Sequence, residues 1–470
     1  MKNDLRNKVF FIFLLISCSL LYIVLLSKSL DNDMYFEIMS GRDLLAGNFS
    51  TATHLGNFPI LVQQWLYAVT LAIFDKLGYA GIIGLVFLQD SILWALSSIL
   101  IYRKTKDKKL AVLGSFFAIL FCHNYMINVR PQIITVILLI AELLLLDIYK
   151  EKHKFRYLLC IIPILILAAN FHQAVFLYHI MILVPFYIDK RYIDYSLVSG
   201  TSATIKNRGY FCDWALIGIT PIFIACSLCT PYGIDGALYI LRTFQSNTYE
   251  AINISEIDSI KLMSYVGIKL LLLVGTAIYL LYRQKLDKYT TYFVFLLAIL
   301  AVTNVRHISI AFIPVIFMIT RLDLTKFKHY YTYICASIIC FGLIILKAFT
   351  PSLESRYGNV ANIIENHDAK IFNTAMDLGG WLEYNGYTNI KYDSRCEAFS
   401  KEISGVDNMI SDYVIVSTGH DLQHKYVTNE EVIDIVDDYD YLITTKYSYI
   451  NHIIDWTKVY EDDNCIIWEK

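Results

Sequence analysis

Long apolar runs, each closed by a short polar break, set the rhythm of this chain. They are Val9–Lys28, Tyr79–Ile101, Leu110–Ile127, Ile133–Ile148, Tyr157–Ala169, Ala174–Ile188, Trp214–Cys229, Met263–Tyr282, Tyr289–Thr303, Ile308–Thr320 and Tyr331–Phe349. A helix of about 20 apolar residues crosses the hydrocarbon core of a bilayer, so the pattern predicts an all-α polytopic bundle of about eleven transmembrane helices. Val9–Lys28 lacks the small-residue cleavage site of a signal peptide and reads as a retained first span. One further stretch, Ile60–Leu77, is apolar enough to compete, yet it carries Gln63, Gln64, Asp75 and Lys76.

Basic residues decide that competition, because Lys and Arg near span ends stay on the cytoplasmic side. If Ile60–Leu77 does not cross, one set of alternate loops is Met1–Lys8, Arg103–Lys109, Lys150–Arg156, Lys190–Arg208, Arg283–Lys288 and Arg321–Lys328, holding 22 Lys and Arg. The opposite loops before the C-terminal part hold only Arg42, Lys76, Arg130, Arg242, Lys261 and Arg306. Ile60–Leu77 is therefore expected as an outer juxtamembrane helix anchored by Trp65 and Tyr67. The expectation is a multi-pass cell-membrane protein with a cytoplasmic N-terminus and an extracytoplasmic C-terminal part.

That assignment sorts the unusual polar residues to the outer side. Asp31-Asn32-Asp33-Met34-Tyr35-Phe36-Glu37 follows the first span at once, and a helix is expected from there to Leu45, stopping at Gly47. Asp33, Glu37 and the backbone around Ser40 share one face of it; the plainer reading is an acidic helix start. On the same side lie His54, Arg130-Pro131-Gln132, Asn170-Phe171-His172-Gln173, Thr230-Pro231-Tyr232-Gly233, Glu256, Asp258 and Asn304-Val305-Arg306-His307. The runs flanking Asn170–Gln173 are short, which sinks those residues below the membrane surface, where polar groups must face a watered cavity or each other. Competing readings are snorkelling for Arg130 and Arg306 and a hydrogen-bonded packing role for His172. Pro131, Pro231 and Tyr232 mark helix ends.

From Pro351 the composition changes, with acidic stretches such as Asp434–Asp440 and few long apolar runs. Segments Tyr413–Ser417, Tyr441–Thr445 and Cys465–Trp468 read as strands between helical pieces, so residues 351–470 are expected to form a small extracytoplasmic α/β domain after a transmembrane domain of 1–350. Gly379-Gly380 has no phosphate-loop pattern and reads as a turn.

Composition confirms the class. A chain of 470 residues that is 56% hydrophobic and 17% charged, with mean hydropathy +0.49, leaves too much apolar surface for a soluble enzyme of that length. The net charge of −2, without basic patches interleaved with aromatics, argues against a nucleic-acid partner. The ten cysteines are scattered and mostly lie in apolar runs. Cys396 and Cys465 lie in the polar C-terminal part, and the sequence leaves their pairing open.

Taken in order, the acidic pair after the first span, Gly41-Arg42-Asp43-Leu44-Leu45-Ala46-Gly47, Gln64-Trp65-Leu66, Arg130-Pro131-Gln132, Asn170-Phe171-His172, Thr230-Pro231-Tyr232-Gly233 and Arg306-His307 resemble the type C membrane glycosyltransferases (GT-C). The set is similar to the protein mannosyltransferases and aminoarabinose transferases, and Gly379-Gly380-Trp381-Leu382 with Lys391-Tyr392-Asp393-Ser394-Arg395 looks like its tail domain. The chain departs from the pattern where many members carry His after the acidic pair and this one has Glu37. The resemblance implies transfer of a sugar from a polyprenyl-phosphate donor to a glycan, lipid or protein acceptor on the outer face. It places the general base at Asp33, with Asp31 second. Arg130 and Arg306 would meet the departing phosphate with their planar forks, His172 and His307 stand behind them, and Glu37 lines the substrate site. Glu256 and Asp258 sit in a long loop able to close as a lid. The Asp31-x-Asp33 spacing offers a second reading, a divalent cation such as Mg2+ or Mn2+ held through hard oxygens.

Other classes share part of this pattern. A polymerase or ligase of surface polysaccharide would use the same donor, but its usual large late outer loop is replaced here by an early acidic one. A transporter would place charges at the midplane of repeated halves. A non-catalytic scaffold would share the fold without the chemistry.

Overall fold

The computed structural model describes residues 33–48, 51–52, 59–122, 129–194, 206–245, 264–285, 287–303, 305–321, 360–395 and 409–470. The expected spans Val9–Lys28 and Tyr331–Phe349 lie outside the described residues, as do Asp31, His54, Glu256, Asp258 and Cys396.

The first described helix, α1 (Asp33–Leu45), ends where its sequence predicts. It crosses α2 (Trp65–Asp75) so closely that a Cβ on Gly41 would lie 2.1 Å from the carbonyl oxygen of Ala68. Only glycine permits that approach. With 11 residues, α2 is ~16 Å long at 1.5 Å per residue, about half the thickness of a hydrocarbon core. The helices α3 (Gly78–Thr105) and α4 (Lys108–Phe121) follow. Their turn is closed by Asp107, whose side chain accepts from the backbone N–H of Lys109 and Leu110, a helix start of the preferred kind.

At the centre of the bundle lies α5 (Gln132–Lys152), buried along most of its length. Beside it run α6 (Ile161–His172) and a 3₁₀ turn, Gln173–Val175. The expected span Ala174–Ile188 is broken into Leu177–Met181 and Val184–Tyr187, and a hairpin of β1 (Ile188–Asp194) with β2 (Lys206–Cys212) follows. After it come α7 (Trp214–Ala225), α8 (Gly233–Gln245), α9 (Tyr265–Tyr282), α10 (Lys288–Thr303) and α11 (Phe312–Ile319). Among the described residues three helical stretches are long and apolar enough to cross a membrane: Gly78–Thr105, Gln132–Lys152 and Arg156–Val175. A fourth results if Trp214–Leu228 and Gly233–Arg242, bent by 86°, count as one broken span. The count of about eleven is not reached here, because the remaining apolar helices are 10–17 residues long.

Charge sorts the two ends of the bundle. At one end Arg103 bonds Asp147 (3.0 Å) and Glu151 (2.6 Å), tying α3 to α5. Lys150 bonds Asp213 (2.9 Å) at the start of α7, Lys288 donates to the Ile188 carbonyl (2.6 Å), and Arg321 pairs with Asp287. The described ends of these basic loops thus gather in space. The polar clusters around Asp33, Arg130 and His172 lie at the other end of α5, ~30 Å away for a 21-residue helix.

The C-terminal residues form a second apolar core around Phe372, Leu382, Tyr392, Val416 and Ile443. Its sheet has four strands in the order β3 (Ile371–Asn373), β4 (Tyr441–Thr444), β6 (Ile466–Glu469), β5 (Thr457–Glu461). β3 and β4 are parallel and the other pairs antiparallel. Around the sheet lie α12 (Met376–Tyr384), α13 (Met409–Thr418) and α14 (Asn429–Val436). Two expectations are corrected. Tyr413–Ser417 is helical, its β-branched residues overridden by a stripe in which Met409, Tyr413 and Val416 face the core. Gly379-Gly380 is the interior of α12, not a turn. Cys465 is a free, buried thiol.

Candidate active site

Helix starts bring the first pair together. Pro131 precedes the first residue of α5, where its missing N–H costs nothing, and this leaves Arg130 just ahead of the helix. Asp33 occupies the first turn of α1, where a carboxylate suits the helix dipole. The Arg130 guanidinium reaches the Asp33 carboxylate at 3.0 Å, and both side chains keep partial exposure, 20% and 32%. One turn on, Glu37 is buried and accepts a hydrogen bond from Gln64 Nε2. Asp33 and Glu37 therefore share a helix face, as i, i+4 residues must, but only Asp33 stays accessible.

A chain of bonds continues from Gln64. The neighbouring Trp65 donates from Nε1 to Asn170 Oδ1 at 2.7 Å, joining α2 to α6. Asn170 Nδ2 donates to the carbonyl of Cys229 at 2.8 Å, and Gln173 Nε2 donates to that of Ser227 at 3.1 Å. Both carbonyls belong to the break between α7 and α8, where the helical ladder is interrupted. Irregular backbone leaves carbonyls without helical partners, and these amides supply them. His172, buried at 7% exposure, bonds through Nδ1 to Thr135 Oγ1 at 2.8 Å on α5. Thr135 lies one turn beyond Pro131, so the bonds return to Arg130 and close a ring through α1, α2, α6 and α5.

The expected site residues fall into three groups. Asp33 and Arg130 touch, while Glu37 and His172 belong to the same ring through Gln64 and Thr135. His307 bonds through Nδ1 to the Tyr178 hydroxyl. Arg306 lies in the 3₁₀ turn Val305–Ala311, with its side chain outside the described residues, as are Asp31 and Glu256 altogether. Among the described residues no group of three His, Cys, Asp or Glu side chains is placed to hold a metal. Of the Asp31-x-Asp33 pair only Asp33 is described, and its carboxylate faces a cation.

One feature escaped the sequence reading. Glu142 on α5 and His179 are buried at 0% and 1% side-chain exposure and bond at 2.7 Å. The signal was a carboxylate in the middle of the run Ile133–Ile148, nine residues after its start, since an ionisable residue among apolar ones needs a partner.

No protein-family model and no curated protein matches the chain in sequence. Solved structures do match its fold. An oligosaccharyltransferase of Archaeoglobus fulgidus, tethered to an acceptor peptide containing the NVT sequon, aligns with a TM-score of 0.56 at 12% identity, over 92% of this chain and 69% of that one. The archaeal oligosaccharyltransferase AglB of Archaeoglobus fulgidus, in complex with an inhibitory peptide and a dolichol-phosphate, aligns with a TM-score of 0.57 at 11% identity, over 93% and 70%. At such identities the likeness is one of fold.

Proposed function

We propose that this chain is a membrane glycosyltransferase that moves a sugar from a polyprenyl-phosphate-linked donor to an acceptor on the extracytoplasmic face. In this reading residues 1–350 are a GT-C-like transmembrane domain of about eleven helices with a cytoplasmic N-terminus, and residues 351–470 an outer α/β domain. The observation that carries it is the partly exposed Asp33–Arg130 pair at 3.0 Å, set in a ring of buried and part-buried bonds at the basic-poor end of the bundle. The fold it shares with proteins solved with a dolichol-phosphate and with acceptor peptides supports the same class of donor and a separate acceptor.

The chemistry needs few groups. Asp33 takes the proton of the acceptor hydroxyl as its oxygen attacks the sugar's anomeric carbon, and the bond from that carbon to the phosphate oxygen breaks. The lipid phosphate departs with the bonding electrons, and its growing charge is met by a preorganised cation. Arg130 fits that task because its planar fork takes a carboxylate or a phosphate equally well. With Asp33 at 3.0 Å it holds the base in place. Arg306 is the second candidate for the phosphate. The buried partners Gln64, Trp65, Asn170 and Thr135 keep the helices that carry these groups at fixed spacing. A divalent cation held by Asp31 and Asp33 would polarise the phosphate in their place.

The direct test incubates membranes containing the protein with a panel of polyprenyl-phosphate and polyprenyl-diphosphate sugars. One donor should be consumed with release of the free lipid phosphate, above the level of membranes lacking the protein. Equal consumption in both membranes across the panel would overturn the reading.

A further inference from the structure

Two C-terminal motifs, Gly379-Gly380-Trp381 and Lys391-Tyr392-Asp393-Ser394-Arg395, have no part in the chemistry above, yet they meet on α1. A Cβ on Gly379 would lie 2.0 Å from the Tyr392 carbonyl oxygen, so the glycine lets the second motif lie directly on α12. A Cβ on Gly380 would lie 3.0 Å from the backbone nitrogen of Phe36, which brings α12 onto α1. Between the two helices sits Arg395, its side chain 9% exposed. It donates from Nε to Asp393 (2.5 Å), from Nη2 to both oxygens of Glu383 (3.1 and 3.2 Å), and from Nη1 toward Ser40 Oγ (3.5 Å). Its guanidinium carbon lies 5.4 Å from the centre of the Phe36 ring. A second grip lies beside the first, where the Tyr384 hydroxyl donates to Asp75 (2.9 Å), Arg42 pairs with Asp75 (2.6 Å), and the Tyr35 and Tyr384 rings approach at 5.1 Å.

We propose that Arg395 is a positioning residue for the proposed transfer reaction: the C-terminal unit grips α1 through Phe36 and Ser40 and thereby sets the rotation that points Asp33 at Arg130 and Glu37 at Gln64. Phe36 and Ser40 flank Glu37 on the helix, so a rotation of α1 moves all four together. Arg is required rather than Lys, because only a guanidinium serves two carboxylates and stacks on a ring at once. The catalytic half of this inference rests on the proposed function; the docking half does not.

The test uses the purified full-length chain in lipid nanodiscs, comparing wild type with Arg395→Lys and Arg395→Met. Removing the cation strands two buried carboxylates, so a variant that takes all three charges out of the cluster, charge-balanced in that none is left unpaired, serves where Arg395→Met fails to fold: Arg395→Met with Asp393→Asn and Glu383→Gln. Hydrogen exchange reads the docking without any activity. Amides of α1 should exchange at least tenfold faster in the Met variants, while those of β4 and β6 keep their wild-type rates. With the donor found by the panel, kcat should fall ~10²-fold, the cost of a misplacement of about 1 Å, and the donor KM should change less than about threefold. Arg395→Lys should lie between. Unchanged α1 exchange in the charge-balanced variant overturns the docking, and unchanged kcat overturns the positioning role. Should wild type consume no donor, the functional reading falls and α1 exchange still decides the docking.

Discussion

Replacing Asn170 by Leu tests whether the ring is held by its buried bonds. The side chain is 7% exposed and makes two contacts between elements, accepting from Trp65 and donating to the Cys229 carbonyl. Its third bond, to the Ile166 carbonyl, stays within its own helix. Leu has nearly the same volume, so the cavity term is small. Each interhelical hydrogen bond in a membrane bundle is worth about 0.6 kcal/mol and at most about 1.7, and each polar group left buried and unpaired costs about 1–3. With two such interhelical bonds removed, the expected loss is about 1–3 kcal/mol, or roughly 5- to 150-fold in the folding equilibrium at 1.4 kcal/mol per decade. The assay is unfolding of the purified chain by dodecyl sulfate in mixed micelles, followed by circular dichroism. Trp65→Phe removes the donor alone, and in the double variant the Trp65–Asn170 coupling should appear as a departure from additivity of about 0.5–3 kcal/mol. A cost under about 0.5 kcal/mol for Asn170→Leu, with additive singles, would refute the ring as a stabilising device.

Three further outcomes are expected. Arg130→Ala should weaken donor use strongly and Arg130→Lys less, with the helical circular dichroism signal intact; normal donor binding in the Ala variant would reduce Arg130 to a headgroup contact. Burial holds the Asp412 carboxyl above the usual carboxylate range, with Lys391 at 4.0 Å pulling it part of the way back. Its proton is bound more tightly in the folded state, so its stabilisation is whole below the ordinary Asp value of ~3.9 and is lost as pH rises through the raised one. Asp412→Asn should therefore gain on wild type in melting temperature as pH rises above the ordinary Asp value of ~3.9, and a gap that does not change with pH would contradict this. Reporter fusions after Lys106 and Lys285 should report cytoplasm, and those after Asn247 and Lys470 the outside; an outside signal after Lys106 would make Ile60–Leu77 a true span.

What the sequence disclosed follows the range of the interaction that shapes each element. Apolar runs read correctly as helices wherever one face or the whole surface is apolar, as in α3 and α5, and the glycine stop of α1 was legible because caps are local. Tyr413–Ser417 misled because β-branched residues favour strands only until a core claims them at helical spacing. Gly379-Gly380 misled for a related reason: a glycine in a helix usually marks weakness, and here Gly379 admits the backbone of Tyr392 while Gly380 answers a helix more than 300 residues earlier in the chain. The polar residues at 170–173 were visible as anomalies, but their main task, pairing the carbonyls at the break near Ser227 and Cys229, depends on a 54–59-residue separation that no local pattern encodes. The Asp33–Arg130 contact was likewise beyond any motif, although each partner stood out alone.

Asp33→Asn is the measurement that bears most directly on the central claim, because it removes the proposed base and keeps its size. It should be assayed beside Asp31→Asn and the double variant, in membranes supplied with the donor that wild type consumes. The account predicts donor binding and expression at wild-type levels for Asp33→Asn, with turnover lowered by ~10²–10⁴-fold as expected for a lost general base. Near wild-type turnover in Asp33→Asn with an inactive Asp31→Asn would move the role to Asp31, and full turnover in the double variant would remove this stretch from the chemistry.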